Sequence, residues 1–511
     1  MFAGDDGVRF FWRALSVLLS RWFPGKNQER VLSMKKIWAL IALSLILMVL
    51  CAPLALAAED AKPVAPPAAT AEPAKIDTGD TAWVLVSSAL VMLMTPGLAL
   101  FYGGMVRTKN ALSTIMQSFF IIALISVQWV LWGYTLAFGP DVNGYIGSLA
   151  WLGLNGVGQE ANADYAATIP HLAFMIFQAM FAVITPALIT GAFAERMKFP
   201  AFVVFTLLWA TFVYDPVAHW VWGVGGWLRE LGVLDFAGGT VVHILSGVSG
   251  LVIALMLGKR RGYGNEAMLP HHLPMTVLGA ALLWFGWFGF NAGSALGANG
   301  LAASAFVTTN TAAAAATVSW VFVEYIHRGK PTVLGAASGA VAGLVAITPA
   351  AGFVAVVPSV IIGLAAGIIC YLAVSVIKAK LGYDDALDAF GVHGVGGTWG
   401  AIATGLFASK AVNPAGADGL FYGNAGQLTT QLIGVAASWA VAIVATYVII
   451  KIVSACMQLR ATQEQEVQGL DITEHGERGY AYQDFAGGAP IGHGELFAIQ
   501  PSPVTKVSLN S

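Results

Sequence analysis

Between Trp83 and Cys456 the sequence repeats one pattern, in which apolar runs of about 20 residues alternate with short polar loops. About 20 apolar residues are needed for a helix to cross the hydrocarbon core of a bilayer. Charged residues make up 11% of the chain, whereas soluble domains carry about 25%. The pattern therefore predicts an all-α polytopic membrane protein.

Eleven such runs can be counted, and we expect each to form one transmembrane helix. Their centres lie near Leu93, Leu124, Ile176, Leu208, Ser249, Leu283, Ala314, Val341, Gly363, Ala401 and Val441.

The basic residues fall on one side of the predicted membrane. Odd-numbered spans are followed by basic clusters such as Arg107, Arg196 and Lys259–Arg261, whereas the alternate loops hold only Arg229 and Lys410. Because cytoplasmic loops are enriched in lysine and arginine, we expect an outside N-terminus and an inside C-terminus. An odd number of spans in each half makes the halves face opposite ways. Spans one to ten are thus expected to form a 5+5 inverted repeat, with one span left over.

The chain divides into five predicted segments. We interpret 1–33 as an upstream over-extension, 34–58 as a signal peptide and 59–80 as an Ala/Pro-rich linker. A membrane domain covers 81–456, and 457–511 is a cytoplasmic tail. The signal peptide is indicated by a basic start, an apolar middle and a small-residue cleavage site. It requires the same orientation as the basic loops.

Two histidines stand inside apolar, glycine-rich spans. His243 lies in DFAGGTVVHILSGVSG (235–250) and His393 in DAFGVHGVGGTWG (388–400). An ionisable side chain within a span is costly and marks a pathway or a binding site. Either histidine alone would be explained by a bond to a backbone carbonyl of a neighbouring helix. Because they occupy spans five and ten, equivalent positions of the repeat, we predict that they meet near the midplane.

Several other functions find no support in the sequence. A net charge of −2 is too balanced for nucleic-acid binding. The cysteines, Cys51, Cys370 and Cys456, form neither a disulfide framework nor a metal-ligand spacing. There is no nucleophile elbow, phosphate-binding glycine loop or metal cluster. We therefore expect no enzyme, no cofactor and no metal site.

Seven stretches carry a family resemblance, and they occur in order between about Asp80 and Tyr480. They are PGLALFYGG (96–104), FQAMF (177–181), GAFAER (191–196), DPVAHWVWG (215–223), DFAGGTVVH (235–243), WFGFNAGS (287–294) and FGVHGV (390–395). In these stretches the chain resembles the ammonium transporter (Amt) family of the Amt/Mep/Rh superfamily. The resemblance implies an eleven-span homotrimer in the cell inner membrane, with one narrow pore per subunit. The implied substrates are ammonium or ammonia, and methylammonium.

The resemblance also implies roles for aromatic residues. Phe177, Trp222 and Ser294 would form an outer ammonium-recruitment site, in which each desolvated cation–π contact contributes about 2 kcal/mol. Phe181 and Phe290 would form a phenyl gate beneath it that excludes water. Without the resemblance, Trp222 fits an interfacial belt and the phenylalanines fit ordinary packing.

For the histidine pair we hypothesise a route of conduction, because two adjacent imidazolium charges in a dry lumen would repel and at least one ring must stay neutral. Ammonium would lose its proton near the gate, and ammonia would move along the imidazoles, with or without separate proton transfer. By the same resemblance Asp235 would shape the outer site, while Tyr214 and Trp287 would line the pore. Asp388, five residues before His393, is the expected inner-half counterpart of Asp235.

The tail stretch GLDITEHGE (469–477) resembles the family's tail, which packs under neighbouring subunits and meets PII-type signalling proteins. Two alternatives to transport stay open. One is an ammonium sensor that signals through its tail, although the tail carries no recognisable signalling domain. The other is a Rhesus-type channel for neutral gas, against which Trp222 and Ser294 argue.

Overall fold

A computed structural model describes residues 75–480. The predicted upstream segment 1–33, the signal peptide 34–58, most of the linker and the tail beyond residue 480 lie outside the described residues. The first helix begins at Thr78, and the Asp77 side chain caps it by accepting a hydrogen bond from Asp80 N. Helical structure therefore starts inside the segment that was predicted to be linker.

Helices dominate the described chain, and those that follow one another from residue 78 to residue 456 are labelled α1 to α11. They are α1 (Thr78–Met105), α2 (Thr108–Phe138), α3 (His171–Phe193), α4 (Phe199–Glu230), α5 (Gly239–Leu257), α6 (Leu273–Ala295), α7 (Gly300–Arg328), α8 (Val333–Ile347), α9 (Val356–Leu381), α10 (390–407) and α11 (Ala425–Cys456).

Within residues 75–480, nine helices are long and apolar enough to cross a membrane. The shorter apolar helix α8 and the glycine-rich α10 are not among the nine. The fold is thus that of a multi-pass helical membrane protein. The count of eleven spans stays a prediction, as does the orientation of the termini.

Short β-hairpins occupy the connection between α2 and α3. Strand β1 (Asp141–Val142) pairs with β2 (Ile146–Gly147), and β3 (Ala161–Asn162) pairs with β4 (Ala166–Pro170), both antiparallel. The start of α1 is attached to this region, because Asp77 N donates to Thr168 O at 2.8 Å. The hairpins therefore cap the end of the bundle at which α1 begins.

The first helices of the two predicted halves, α1 and α6, cross at close range. A Cβ atom on Gly279 would lie 2.2 Å from Phe101 N, and one on Gly286 would lie 2.6 Å from Leu90 O. Small residues at such crossings let two helix backbones approach in a membrane. Glycine is therefore required where the two halves meet.

The tail folds back onto the loops at the other end of the bundle. After α11 it forms a short helix, α12 (Gln463–Gln468), and a turn, Asp471–His475. Its start pairs with the loop between α3 and α4, where Lys198 N donates to Leu459 O at 2.8 Å. We call this end of the bundle the tail side and the opposite end the hairpin side.

Candidate functional site

His243 and His393 face each other inside the bundle, and both side chains are buried. Their Nδ1 atoms lie 3.2 Å apart, and the ring centroids are 5.3 Å apart with 25° between the ring planes. Each histidine lies in the π-helical turn that opens its helix, Gly239–Ile244 in α5 and Phe390–Gly394 in α10. Such turns inside membrane helices frequently mark functional sites.

Asp235 holds the opening turn of α5. Its carboxylate accepts hydrogen bonds from Gly238 N at 2.9 Å, Gly239 N at 2.6 Å and Thr240 N at 2.9 Å. It also accepts bonds from Val241 N and from the Thr240 hydroxyl. Because the first N–H groups of a helix have no partner within the helix, one carboxylate here fixes the turn that carries His243.

Asp385 caps the start of α10. Its carboxylate accepts hydrogen bonds from Ala389 N at 3.1 Å and from Phe390 N at 2.8 Å. It lies eight residues before His393, as Asp235 lies eight before His243. The prediction that Asp388 is the counterpart of Asp235 is therefore wrong, and Asp385 takes that place. The repeated spacing from acid to histidine is the signal that could have identified it.

Asp388 corresponds instead to Gly238 of the first half. Each follows its capping acid by three residues, and both have left-handed backbones, with φ of 61° at Asp388 and 113° at Gly238. The Asp388 carboxylate accepts a hydrogen bond from Lys378 Nζ at 2.6 Å and its side chain is 40% exposed. Asp388 thus forms a partly solvated ion pair and not a helix cap.

The acids before α10 lie in different electrostatic surroundings. Burial raises the pKa of Asp385 to about 6, an effect that Lys378 opposes and Asp388 reinforces. Burial would also raise the pKa of the neighbouring Asp384, but hydrogen bonds and charge from Arg260 lower it below its ordinary value. Asp384 is therefore a stable anion, whereas the folded protein favours the protonated form of Asp385 more than water does.

Phe181 and Phe290 stack beside the histidines. Their ring centroids lie 4.3 Å apart, and His243 lies 6.1 Å from Phe290. Trp222 meets Phe181 edge-on at 5.9 Å, and its Nε1–H donates to Asp235 O at 2.9 Å. Aromatic faces and edges thus form a continuous column from Trp222 to His243.

Three cavities follow this column through the bundle. The hairpin-side cavity, of ≈ 260 Å³, is bordered by Phe181, Trp222 and Ser294. The central cavity, of ≈ 10 Å³, is lined by both histidines together with Phe290 and apolar side chains. The tail-side cavity, of ≈ 40 Å³, begins at His393 and opens towards Asp388.

The aromatic pair and the histidines form the boundaries between these cavities. Phe181 borders the hairpin-side cavity and Phe290 borders the central one, so the stacked rings separate the two. Phe101, Val341 and His393 border both the central and the tail-side cavities. These volumes are the space open to the centre of a water-sized sphere, and one water molecule needs about 10–15 Å³ of it. The central cavity therefore has room for about one water and cannot hold a hydrated ion.

Two predicted site residues lie behind the passage. Phe177 is fully buried and packs edge-on against Phe181 at 5.0 Å. Tyr214 is also fully buried, with its ring 6.2 Å from Trp129. Neither lines any of the three cavities. That Phe177 contacts a substrate and that Tyr214 lines the pore therefore stay predictions.

Trp287 and Ser294 both border the passage. Trp287 lines the central cavity, with its ring stacked at 5.4 Å from His243 and its Nε1–H donating to Thr348 Oγ1 at 2.9 Å. The Ser294 hydroxyl donates to Phe290 O at 2.8 Å, which leaves its oxygen lone pairs as acceptors at the hairpin-side cavity.

Buried polar atoms without a hydrogen-bond partner indicate where a small polar molecule could bind. Within residues 75–480, the buried Nε2 of His243 has no hydrogen-bond partner, and His243 borders the central cavity. Gln178, which sequence reasoning did not select, borders the hairpin-side cavity and has a buried, unpartnered Oε1. Because buried polar groups are normally hydrogen-bonded, these two atoms are available to a small polar molecule.

Comparison with known proteins gives consistent matches over most of the chain. The sequence model described as "Ammonium Transporter Family" matches residues 82–480. The "Ammonium transporter" of Bacillus subtilis is 61% identical over 406 residues, which cover 80% of this chain and 99% of that protein. A "Putative ammonium transporter" of Methanothermobacter thermautotrophicus is 52% identical over 407 residues, which cover 79% of this chain and 99% of that protein.

Solved structures give the same result. The crystal structure of Saccharomyces cerevisiae Mep2 superposes with a TM-score of 0.72 at 40% identity, covering 76% of this chain and 89% of that one. A structure titled "Sensor Amt Protein" superposes with a TM-score of 0.71 at 31% identity, covering 78% of this chain and 98% of that one.

Proposed function

The chain belongs to the ammonium transporter family, and from this premise we propose that it conducts ammonium nitrogen through the passage between Trp222 and the two histidines. The observation that carries this proposal is the unpartnered Nε2 of His243 at a central cavity too small for a hydrated ion. The chemistry follows from the order of the three cavities.

Recruitment takes place in the hairpin-side cavity. The face of Trp222 attracts a cation, and a desolvated contact of this kind contributes about 2 kcal/mol. The Ser294 hydroxyl and Gln178 Oε1 supply acceptors for N–H groups. These acceptors replace part of the hydration shell of ammonium, which favours ion recruitment over a Rhesus-type channel for neutral gas.

The ion loses its proton at the stacked rings of Phe181 and Phe290. A bare ion in a low-dielectric cavity costs tens of kcal/mol in Born terms, and the central cavity has room for only about one water. Neutral ammonia avoids that cost. Ammonia is small enough to enter the central cavity, where it can form a hydrogen bond with His243 Nε2. Water in the hairpin-side cavity accepts the released proton, which then crosses separately or returns to the side from which it came.

The architecture proposed for this function has eleven spans, formed by the nine long helices with α8 and α10. The hairpin side faces outward and the tail side faces the cytoplasm, as the basic loops predict. We further propose a homotrimer in the cell inner membrane, preceded by a cleaved signal peptide. Methylammonium is a second substrate, and a PII-type signalling protein binds the tail.

A sensor function is the second candidate, because one of the matched structures is titled "Sensor Amt Protein". A sensor would bind ammonium at the same hairpin-side cavity and pass the signal to the docked tail. Flux distinguishes the two functions, since a sensor needs occupancy of the site but no continuous conduction.

The test is an ammonium concentration jump applied to proteoliposomes that contain the purified protein, with internal pH and membrane current recorded together. We expect a saturable response that Trp222→Leu shifts to higher ammonium concentration. Protein-free vesicles give the background of passive ammonia leak. Saturable ammonium binding without any response above that background would overturn transport in favour of the sensor.

A further inference from the structure

An arginine borders the cavity in which the cation is recruited. Arg229, in the last turn of α4, lines the hairpin-side cavity together with Trp222, Ser294 and Asp235. Its side chain is exposed, and its Nη1–H donates to the backbone oxygen of Trp222 at 2.7 Å. Arg229 belongs to none of the stretches that carry the family resemblance. Its positive charge at a cation's binding cavity therefore needs an explanation.

The arginine holds one end of the residue that recruits the cation. Trp222 has its indole Nε1–H bonded to Asp235 O at 2.9 Å, and its own carbonyl accepts from Arg229 at 2.7 Å. Both polar groups are thus fixed by residues of the same cavity wall. A guanidinium anchored in this way is a fixed charge at a defined place and not a freely moving surface cation.

Two acids also border this cavity, but they act differently. The Asp235 carboxylate accepts five bonds from the start of α5, which compensate its charge locally. Asp164, on the β3–β4 hairpin, is exposed, and its backbone N–H is bonded to Asn162 Oδ1. Arg229 and Asp164 are therefore the exposed charges, of opposite sign, that a cation meets before it reaches Trp222.

We propose that Arg229 sets the apparent affinity for ammonium. Its fixed positive charge lowers the occupancy of the hairpin-side cavity by cations, while its bond to the Trp222 carbonyl keeps the indole in place. Asp164 acts in the opposite direction. This inference rests on the proposed recruitment of ammonium at that cavity.

The size of the effect follows from screened Coulomb interaction across a solvated cavity. At a separation of about 8 Å, and in about 10 mM salt where the Debye length is about 30 Å, a unit charge changes the affinity of a second one by about two- to fivefold. The effect is smaller in physiological salt, where the Debye length is about 8 Å, and disappears in high salt. This dependence on ionic strength separates a charge effect from a change in packing.

The experiment compares Arg229→Gln, Arg229→Lys and Asp164→Asn in proteoliposomes, with initial uptake rates measured over a range of ammonium concentrations. Lys410→Gln is the matched control, because it removes one positive charge from a loop at the hairpin side that does not border the cavity. Each protein is measured at about 10 mM and about 500 mM salt.

In low salt we expect Arg229→Gln to lower KM about two- to fivefold with an unchanged maximal rate. Arg229→Lys should keep the wild-type KM and Asp164→Asn should raise it. Lys410→Gln, which removes a charge that does not border the cavity, should lower KM by less than Arg229→Gln does. All differences should disappear in high salt. An unchanged KM in Arg229→Gln, or an equal shift in Arg229→Gln and Arg229→Lys, would overturn the charge role. Absence of saturable uptake by the wild-type protein would overturn the proposed function itself, and this inference with it.

Discussion

His243 and His393 meet through like nitrogens, with Nδ1 facing Nδ1 at 3.2 Å. A hydrogen bond at this place needs one donor and one acceptor, so only one of the two Nδ1 atoms carries a hydrogen. The other ring must then carry its hydrogen on Nε2. The pair therefore has two alternative hydrogen arrangements, and passing a proton along it exchanges one for the other.

Removing His243 should lower ammonium flux at least about tenfold, a change of about 1.4 kcal/mol in barrier height. His243→Ala deletes both the bond to His393 and the unpartnered Nε2 that the central cavity offers. Uptake of labelled methylammonium by proteoliposomes measures the effect. His327→Ala is the control, because His327 bonds to Tyr371 OH at 2.7 Å, away from the passage. Equal uptake by the two variants would contradict a conducting role.

Asp385→Ala should destabilise the protein more than Asp388→Asn. Asp385→Ala leaves Ala389 N and Phe390 N without acceptors at the start of α10. Loss of a helix cap costs about 1–2 kcal/mol. Asp388→Asn removes the charge of a partly solvated ion pair with Lys378, worth about 0–1 kcal/mol, and asparagine tolerates the left-handed backbone at this position. The apparent melting temperatures of the two variants in detergent measure the difference. A larger loss in Asp388→Asn would contradict the assignment of Asp385 as the cap.

The raised pKa of Asp385 should make the stability of the folded protein depend on pH. Burial raises the folded-state pKa of Asp385 to about 6, whereas an unfolded chain has an aspartate pKa of about 3.9. The folded protein therefore binds more protons than the unfolded chain between these values. The stability contributed by Asp385 is fully present below about pH 4 and is lost as the pH rises to about 6.

Asp385→Asn provides the reference for that dependence, because asparagine keeps the shape and does not titrate. We expect the melting temperature of the wild type relative to this variant to fall between pH 4 and 6, and to be constant above about pH 7. Asp384, whose pKa is lowered, is present in both proteins and cancels in the difference. A difference that rises with pH over this window would show that the pKa of Asp385 is lowered and not raised.

The sequence predicted the membrane helices and the partnership of His243 with His393 because hydropathy, charge bias and position in a repeat are signals along one dimension. It could not choose between Asp385 and Asp388 from residue type, since both acids precede the histidine within one short loop. Only the backbone shows which carboxylate faces the helix start.

Phe177 and Phe181 show a second limit. They lie four residues apart on one helix, and so share a face, yet only Phe181 borders the passage. Which of two neighbouring rings reaches a pore depends on the rotation and tilt of the helix, which hydropathy does not report. Gln178 was missed for the related reason that its significance lies in an unsatisfied oxygen, and the sequence does not show hydrogen-bond partners.

Close approach of α5 and α10 should make Gly247 intolerant of any side chain. A Cβ atom there would lie 2.0 Å from Gly394 N and 2.5 Å from Gly394 Cα, both backbone atoms that cannot rotate away. Gly247→Ala should cost about 3 kcal/mol or more and separate the histidines, because overpacking against backbone requires the helices to move. Gly300→Ala is the control, since a Cβ at Gly300 meets nothing within 4 Å.

Yield of folded protein and melting temperature measure the Gly247→Ala effect. If folded Gly247→Ala is recovered, it should also show methylammonium uptake as low as that of His243→Ala. Wild-type stability in Gly247→Ala would mean that α5 and α10 are not in backbone contact.

The docked tail should be released when Asp471 is lost. The Asp471 carboxylate accepts from Ser113 N at 2.8 Å and Leu112 N at 3.1 Å, so the tail provides the cap for the first turn of α2. Asp471→Ala should weaken docking by about 1–2 kcal/mol, the usual cost of a lost cap. Hydrogen exchange at the amides of Leu112 and Ser113 should accelerate about five- to thirtyfold, as that cost implies for local opening. Glu477→Ala, a change at an exposed tail position, should leave their exchange unchanged. If both amides stay protected in Asp471→Ala, the tail does not cap α2, and its docking depends on its other contacts, such as those of Lys109 Nζ with the backbone oxygens of α12.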